Sequence, residues 1–111
     1  MTIRKLDKKE WETYFDHIST GLEAEEAEIE VMSLALGDQI EAEWLPILGI
    51  TYEPKTETLE IALDGLDHRI AKPREIYVDE QDRGLASIEI VGADGTRQIV
   101  KLRDKLLLPA K

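Results

Sequence analysis

Two hydrophobic periods divide this chain. Near the N-terminus Trp11, Phe15, Ile18 and Leu22 recur at intervals of three and four, the spacing that lines up side chains on one face of an α-helix. Asp7 and Glu10 stand three apart just ahead of them, as in a capping box where each side chain satisfies a backbone N–H. Leu6 and Trp11 flank that cap as a hydrophobic staple does. The pattern predicts a helix from about Lys8 to Thr20, with Gly21 ending it in the left-handed conformation.

From Ala27 the period becomes two, the mark of a half-buried strand. In "AEIEVMSLALGDQIEAEWLPI", Ala27, Ile29 and Val31 alternate with Glu28, Glu30 and Met32, and Ile40, Ala42 and Trp44 alternate with Glu41 and Glu43. A two-residue turn at Gly37-Asp38 puts Val31 opposite Trp44 and Ala35 opposite Ile40, leaving Met32 and Leu34 facing Glu43 and Glu41. In "LGITYEPKTETLEIAL", a loop from Pro54 to Glu57 pairs Tyr52 with Leu59 and Ile50 with Ile61. In "LASIEIVGADGTRQIVKL", a three-residue loop Ala93-Asp94-Gly95 sets Ile88 opposite Val100 and Ala86 opposite Leu102, with Gly95 in a left-handed bulge. Between these hairpins "REIYVDE" reads as a strand with Ile76 and Val78 on one face and Tyr77 on the other.

These elements predict an α+β fold: an N-terminal helix packed on a curled antiparallel sheet or small barrel of about seven strands in a meander. The length of 111 residues fits one domain spanning the whole chain. Trp11 and Trp44 each complete an apolar stripe, which assigns both to the helix–sheet core.

Composition narrows the function classes. Without cysteine there is no disulfide framework, thiolate metal site or cysteine nucleophile. No apolar run approaches the roughly 20 residues that span a bilayer, and no apolar segment follows "MTIRKLDKKEW" as a signal peptide requires. The expectation is a cytoplasmic protein with no membrane partner. The net charge is −10, and twelve acids lie in residues 21–64 against Lys55 alone. A chain this acidic lacks the basic footprint that phosphate neutralisation demands, so nucleic acid is not an expected partner.

The stretch "DGLDHRIAKPREIYVDE" carries the candidate chemistry. Asp67-His68 is read in a loop from Gly65 to Pro73, where an acid beside a histidine has the composition of a general base. Asp64 and Asp79 add oxygen donors for a metal, but no His-x-x-x-His spacing supports one, and no serine sits in a nucleophile turn. The plainer reading makes Asp67 a backbone cap or a partner of Arg69. Arg69, Lys72 and Arg74 form a basic group without the glycine-rich loop or helix start that holds phosphate, and salt bridges to neighbouring acids account for it. The glutamates Glu28, Glu30, Glu41 and Glu43 are what a solvent-facing strand shows. Met32, Leu34 and Leu45 share that face, and an apolar patch rimmed by acid is a docking surface.

As a set, "IRKLDKKEW", "EIEVMSLALGDQIEAEWLPILGITY", "LEIALDGLDH", "PREIYVDE" and "RQIVKLRD" resemble a family of short bacterial proteins catalogued only as a domain of unknown function. The resemblance covers nearly the whole chain. It implies a bacterial, single-domain, cytoplasmic protein and supplies no activity, cofactor or site residue.

The sequence therefore reads as a non-catalytic protein-binding or accessory module without a cofactor. Its surface is Met32, Leu34, Glu41, Glu43 and Leu45, and its partner is another protein or a second copy. One alternative is a small hydrolase or metal-dependent enzyme centred on Asp67 and His68 with Asp64 or Asp79. Another is a small-ligand module using Tyr52 or Tyr77 in the mouth of the sheet.

Overall fold

A computed structural model describes residues 2–22, 25–81 and 84–104. The elements run β1 (Thr2–Lys5), a 3-10 turn (Lys8–Glu10), α1 (Trp11–Ser19), β2 (Glu25–Ser33), β3 (Gly37–Glu53), β4 (Thr58–Leu63), β5 (Leu66–Ala71), β6 (Pro73–Gln81), β7 (Gly84–Gly92) and β8 (Arg97–Asp104). A short helix thus packs on an antiparallel sheet. The sheet has eight strands in the order β1-β6-β7-β8-β2-β3-β4-β5, which corrects both the count of about seven and the single meander. Two meanders, β2 to β5 and β6 to β8, join where β8 pairs with β2, and β1 adds to β6. Among the described residues the sheet ends at β1 and β5 and does not close into a barrel.

Asp7 caps the 3-10 turn Lys8–Glu10, α1 follows from Trp11 without a side-chain cap of its own, and the helix also ends differently from the prediction. The Asp7 side chain accepts from the Lys9 N–H at 3.2 Å, but the Glu10 carboxylate turns to Arg4 at 3.0 Å instead of completing the box. Gly21 is absent from the positive-φ residues. The last turn closes through Thr20 Oγ1 donating to the His17 carbonyl and Gly21 N–H donating to that of Ile18.

β3 shapes the molecule. It pairs with β2 as far as Pro46 and with β4 from Ile47, so one 17-residue strand passes from one layer to the other. Irregularities interrupt its ladder with β2 on either side of Ile29, and Trp44 sits in the second with φ of 51°. Bulges bend a strand and re-aim its side chains. Trp44 accordingly leaves the core assigned to it and lies under the Arg103 guanidinium, 4.1 Å from the ring centroid. Arg103 in turn donates to Glu26 at 3.1 Å. The β2–β3 turn is also not Gly37-Asp38: Ser33 pairs with Gly37, and Leu34, Ala35 and Leu36 form the tip. Ser33 Oγ accepts from the Leu36 N–H at 3.0 Å, and Gly37 takes φ of 74°, left-handed backbone that glycine adopts at little cost.

The two other hairpins have the expected registers. Tyr52 pairs with Leu59 and Ile50 with Ile61. Ile88 pairs with Val100, and Gly95 has φ of 86°.

Past Pro46, β3 has β4 on one side and, among the described residues, no strand on the other. The helix fills that side. Ser19 Oγ donates to the Ile50 carbonyl and accepts from the Ile50 N–H, both at 2.9 Å, completing the two backbone groups a missing strand would have paired. Trp11 meets Tyr52 edge-on at 5.1 Å, and Phe15 lies fully buried. Leu6, Trp11, Phe15 and Leu22 from the helical segment join one core with Ile29, Ile47, Ile61, Ile70, Ile76, Ile90 and Val100 from seven strands.

A polar network fastens the other side of the helix. Glu80 on β6 accepts from the Arg4 guanidinium at 3.1 Å and from the Tyr14 hydroxyl at 2.8 Å. Those two hydrogen bonds, from Arg4 first and Tyr14 second, hold the Glu80 carboxyl below its usual range. Burial, then Glu80, pushes the Tyr14 hydroxyl up. A carboxyl lowered in the folded state stabilises fully above its unfolded value of about 4.3, and that contribution disappears as pH falls through the folded value. Glu80→Gln should therefore lower stability at neutral pH, with the gap to wild type narrowing below about pH 4. Urea midpoints across that range measure it. A gap that stays constant would assign the loss to shape and not to charge.

Candidate functional site

The residues assigned to chemistry lie in a strand, not in a loop. Leu66–Ala71 is β5, joined to β4 by the two-residue turn Asp64-Gly65, with Gly65 at φ of 83°. Neighbouring strand residues point to opposite faces. His68 is half-buried on the inner face with Ile70, whereas Asp67 and Arg69 are exposed on the outer face. His68 Nε2 meets Gln98 Oε1 of β8 at 2.5 Å across the space between the layers, a partner the sequence did not suggest. Arg69 donates to the directly opposed Glu60 at 3.3 Å. Asp64 is exposed in the turn, and Asp79 lies on β6 between Ile3 and Ser87. Among the described residues no group of three or more histidine, aspartate or glutamate side chains is spaced to hold a metal ion. Two buried polar atoms have no hydrogen-bond partner among those residues, Trp11 Nε1 and Asp79 Oδ1, and they belong to different elements.

The basic group is dispersed as well. After Arg69, Lys72 forms the corner between β5 and β6 with φ of 50°, its N–H donating to the Glu57 carbonyl at 2.7 Å, and Arg74 lies beyond it on β6. Tyr52 is buried against Trp11, and Tyr77 lies half-buried with its hydroxyl 3.4 Å from Glu75. The space beside Tyr52 is a surface depression shared with Lys8, Lys9, Glu12, Pro54 and Glu57.

The acidic and apolar surface is the feature the structure sharpens. Leu45 pairs with Ala27 and packs on the core, so it leaves the predicted patch. Met32 is half-buried on the outer face opposite Arg97. Glu41 and Glu43 are exposed where the ladder is irregular. Leu34 is 109% exposed and Leu36 70% at the hairpin tip, with Ile40 at 50% four residues after Leu36. Sequence reasoning missed Leu36 and turned Ile40 inward, although "SLALGD" places two leucines around the turn. Behind the tip, Asp38 beside it holds the Glu30 carboxyl above its usual range, and Lys101 lies 3.9 Å from both Glu28 and Glu30.

The arrangement defines a class: a small α+β protein, one short helix on an eight-stranded antiparallel sheet, whose hairpin tip exposes apolar side chains. Within that class the chain belongs to the family described as a family of unknown function (DUF5335), whose model matches residues 2–111. It is 41% identical over 110 residues to an uncharacterised protein of Aquifex aeolicus (strain VF5), covering 98% of this chain and 99% of that one. No solved structure matches the chain. No helix among the described residues is long and apolar enough to cross a membrane.

Proposed function

We propose that the protein is a cytoplasmic, single-domain binding or accessory module that docks another protein through the β2–β3 hairpin tip. The observation that carries this reading is the exposure of Leu34, Leu36 and Ile40 at one end of the hairpin. Each such side chain gains roughly 1.5–3 kcal/mol when fully buried, and the tip reaches past the Met32–Arg97 pair, the last that β2 makes with β8. Asp38, Glu41 and Glu43 around it form no ion pair among the described residues. The complementary partner is a protein groove with an apolar floor and a basic rim. Membrane-surface segments carry lysine and arginine beside their apolar residues, and this tip carries acid.

The test isolates a partner on the immobilised wild-type protein, purifies it, and titrates it against wild type and Leu34→Glu/Leu36→Glu. Binding should weaken at least about tenfold, which is 1.4 kcal/mol. It should be unchanged in Leu48→Glu, which alters an exposed leucine elsewhere on β3. Equal affinity of the tip variant, failure to isolate any partner, or binding of the wild type to lipid vesicles instead would each overturn the reading.

A further inference from the structure

The two ends of the sheet are built differently. β1 has four residues, and its Arg4 and Lys5 are tied to Glu10, Glu80 and Glu75. β5 has six residues and one strand neighbour, β4, among the described residues. Which backbone groups of β5 are free follows from the alternation of an antiparallel ladder. Ile50 turns its N–H and C=O to Ser19, away from β4, so Thr51 and Glu53 face β4. Glu60 and Thr58, opposite them, face β3, and Leu59 and Ile61 face β5. Their partners Ile70 and His68 face β4 in return. Asp67, Arg69 and Ala71 are left with both main-chain groups turned outward.

A free edge of this kind invites pairing with another strand, and charges on it restrict which strand can pair. Here an acid and a base occupy alternate edge-facing positions. If β5 pairs antiparallel with itself, Asp67 meets Asp67, Arg69 meets Arg69, or the two meet each other. Like charges directly opposed destabilise and opposite charges stabilise, so the third register is selected. It exchanges about four main-chain hydrogen bonds at Asp67 and Arg69. It also sets Leu66, 37% exposed at the sheet end, opposite Ile70 of the partner subunit. Arg69, already 3.3 Å from Glu60, would lie between two carboxylates of different chains.

We propose that β5 is a dimerisation edge, pairing with β5 of a second copy about a two-fold axis at His68, with Asp67 opposite Arg69 of the partner subunit. The contact is isologous and closes at two chains, the symmetry most soluble oligomers adopt. It joins two eight-stranded sheets into one and leaves the hairpin tips free for the docking described above, on which it does not depend.

Sedimentation over a wide concentration range tests it. Wild type should show a monomer–dimer equilibrium. Arg69→Asp, which makes the edge wholly acidic, and Asp67→Arg, which makes it wholly basic, should each weaken the dimer about tenfold or more. The double variant Asp67→Arg/Arg69→Asp should restore it. An equimolar mixture of the two single variants should form a heterodimer that neither forms alone, which also shows that both have folded. A wild type that stays monomeric at every concentration would overturn the proposal. So would a dimer indifferent to these reversals, or one abolished by Leu34→Glu/Leu36→Glu; that last result would move the interface to the tip.

Discussion

Phe15→Ala is expected to lower the free energy of unfolding by about 3–5 kcal/mol, the usual cost of truncating a buried aromatic ring. Phe15 is 0% exposed and meets the Tyr14 ring edge-on at 5.4 Å. Its ring lies where the helix substitutes for a strand along β3, so its removal opens a cavity between elements that no continuous ladder holds together. Domains of this size are stable by roughly 5–15 kcal/mol, and the variant should be marginal near physiological temperature. The measurement is the urea midpoint, which should fall while the slope stays constant. Ile18→Ala, at a half-buried position of the same stripe, should cost clearly less. A Phe15→Ala loss below about 1 kcal/mol would mean that the helix is not seated on the sheet as described.

Ser19→Ala is the second large effect, reached by another route. The substitution removes one oxygen and leaves little space, so its cost is almost wholly polar. That oxygen both donates to and accepts from Ile50, and alanine strands an N–H and a C=O together. An unsatisfied buried polar group costs about 1–3 kcal/mol, and Ile50 is 1% exposed. The expected loss is about 2 kcal/mol or somewhat more. Amide hydrogen exchange gives the specific signature: the Ile50 N–H should lose protection, while that of Ile61 on the next strand should change only with global stability. If both amides respond equally, the serine has no local role.

The hairpins show what the sequence could reveal. Those at Pro54–Glu57 and Ala93–Gly95 have the expected registers because their strands keep a strict period of two and their loops carry residues with a conformational preference. The β2–β3 hairpin misled for the opposite reason. Its inward positions on β3, including Ala42, Leu45, Ile47, Ile50 and Tyr52, do not keep period two, because the ladder slips more than once. Alternation read through those slips put Trp44 and Ile40 in the core and Leu45 on the surface. β5 was legible and passed over. Leu66, His68 and Ile70 alternate with Asp67 and Arg69 as in any strand, but the charged residues from Gly65 to Pro73 read as a connecting loop. Of the predicted docking surface, Leu34, Glu41 and Glu43 are exposed, Met32 is half-buried and Leu45 is lost to the core. Ser19 gave no signal at all, since its role depends on where β2 stops following β3.

The strand order also sets a timetable for synthesis. β1 pairs through Thr2 with Glu80, and β2 pairs through Glu25 with Asp104. The first strand made must therefore wait for the sixth, and the second for the eighth. Chains grow N-terminus first at about 5–20 residues per second, so β2 to β5, and after them β6 with β7, can each assemble locally before β8 is made. The central β2–β8 seam closes only after residue 104 has emerged from the ribosome. Such non-local pairing slows folding. Until it closes, the nascent protein shows an open edge on β2 in addition to that of β5, and its concentrated acidic charge lies across this β2–β5 half.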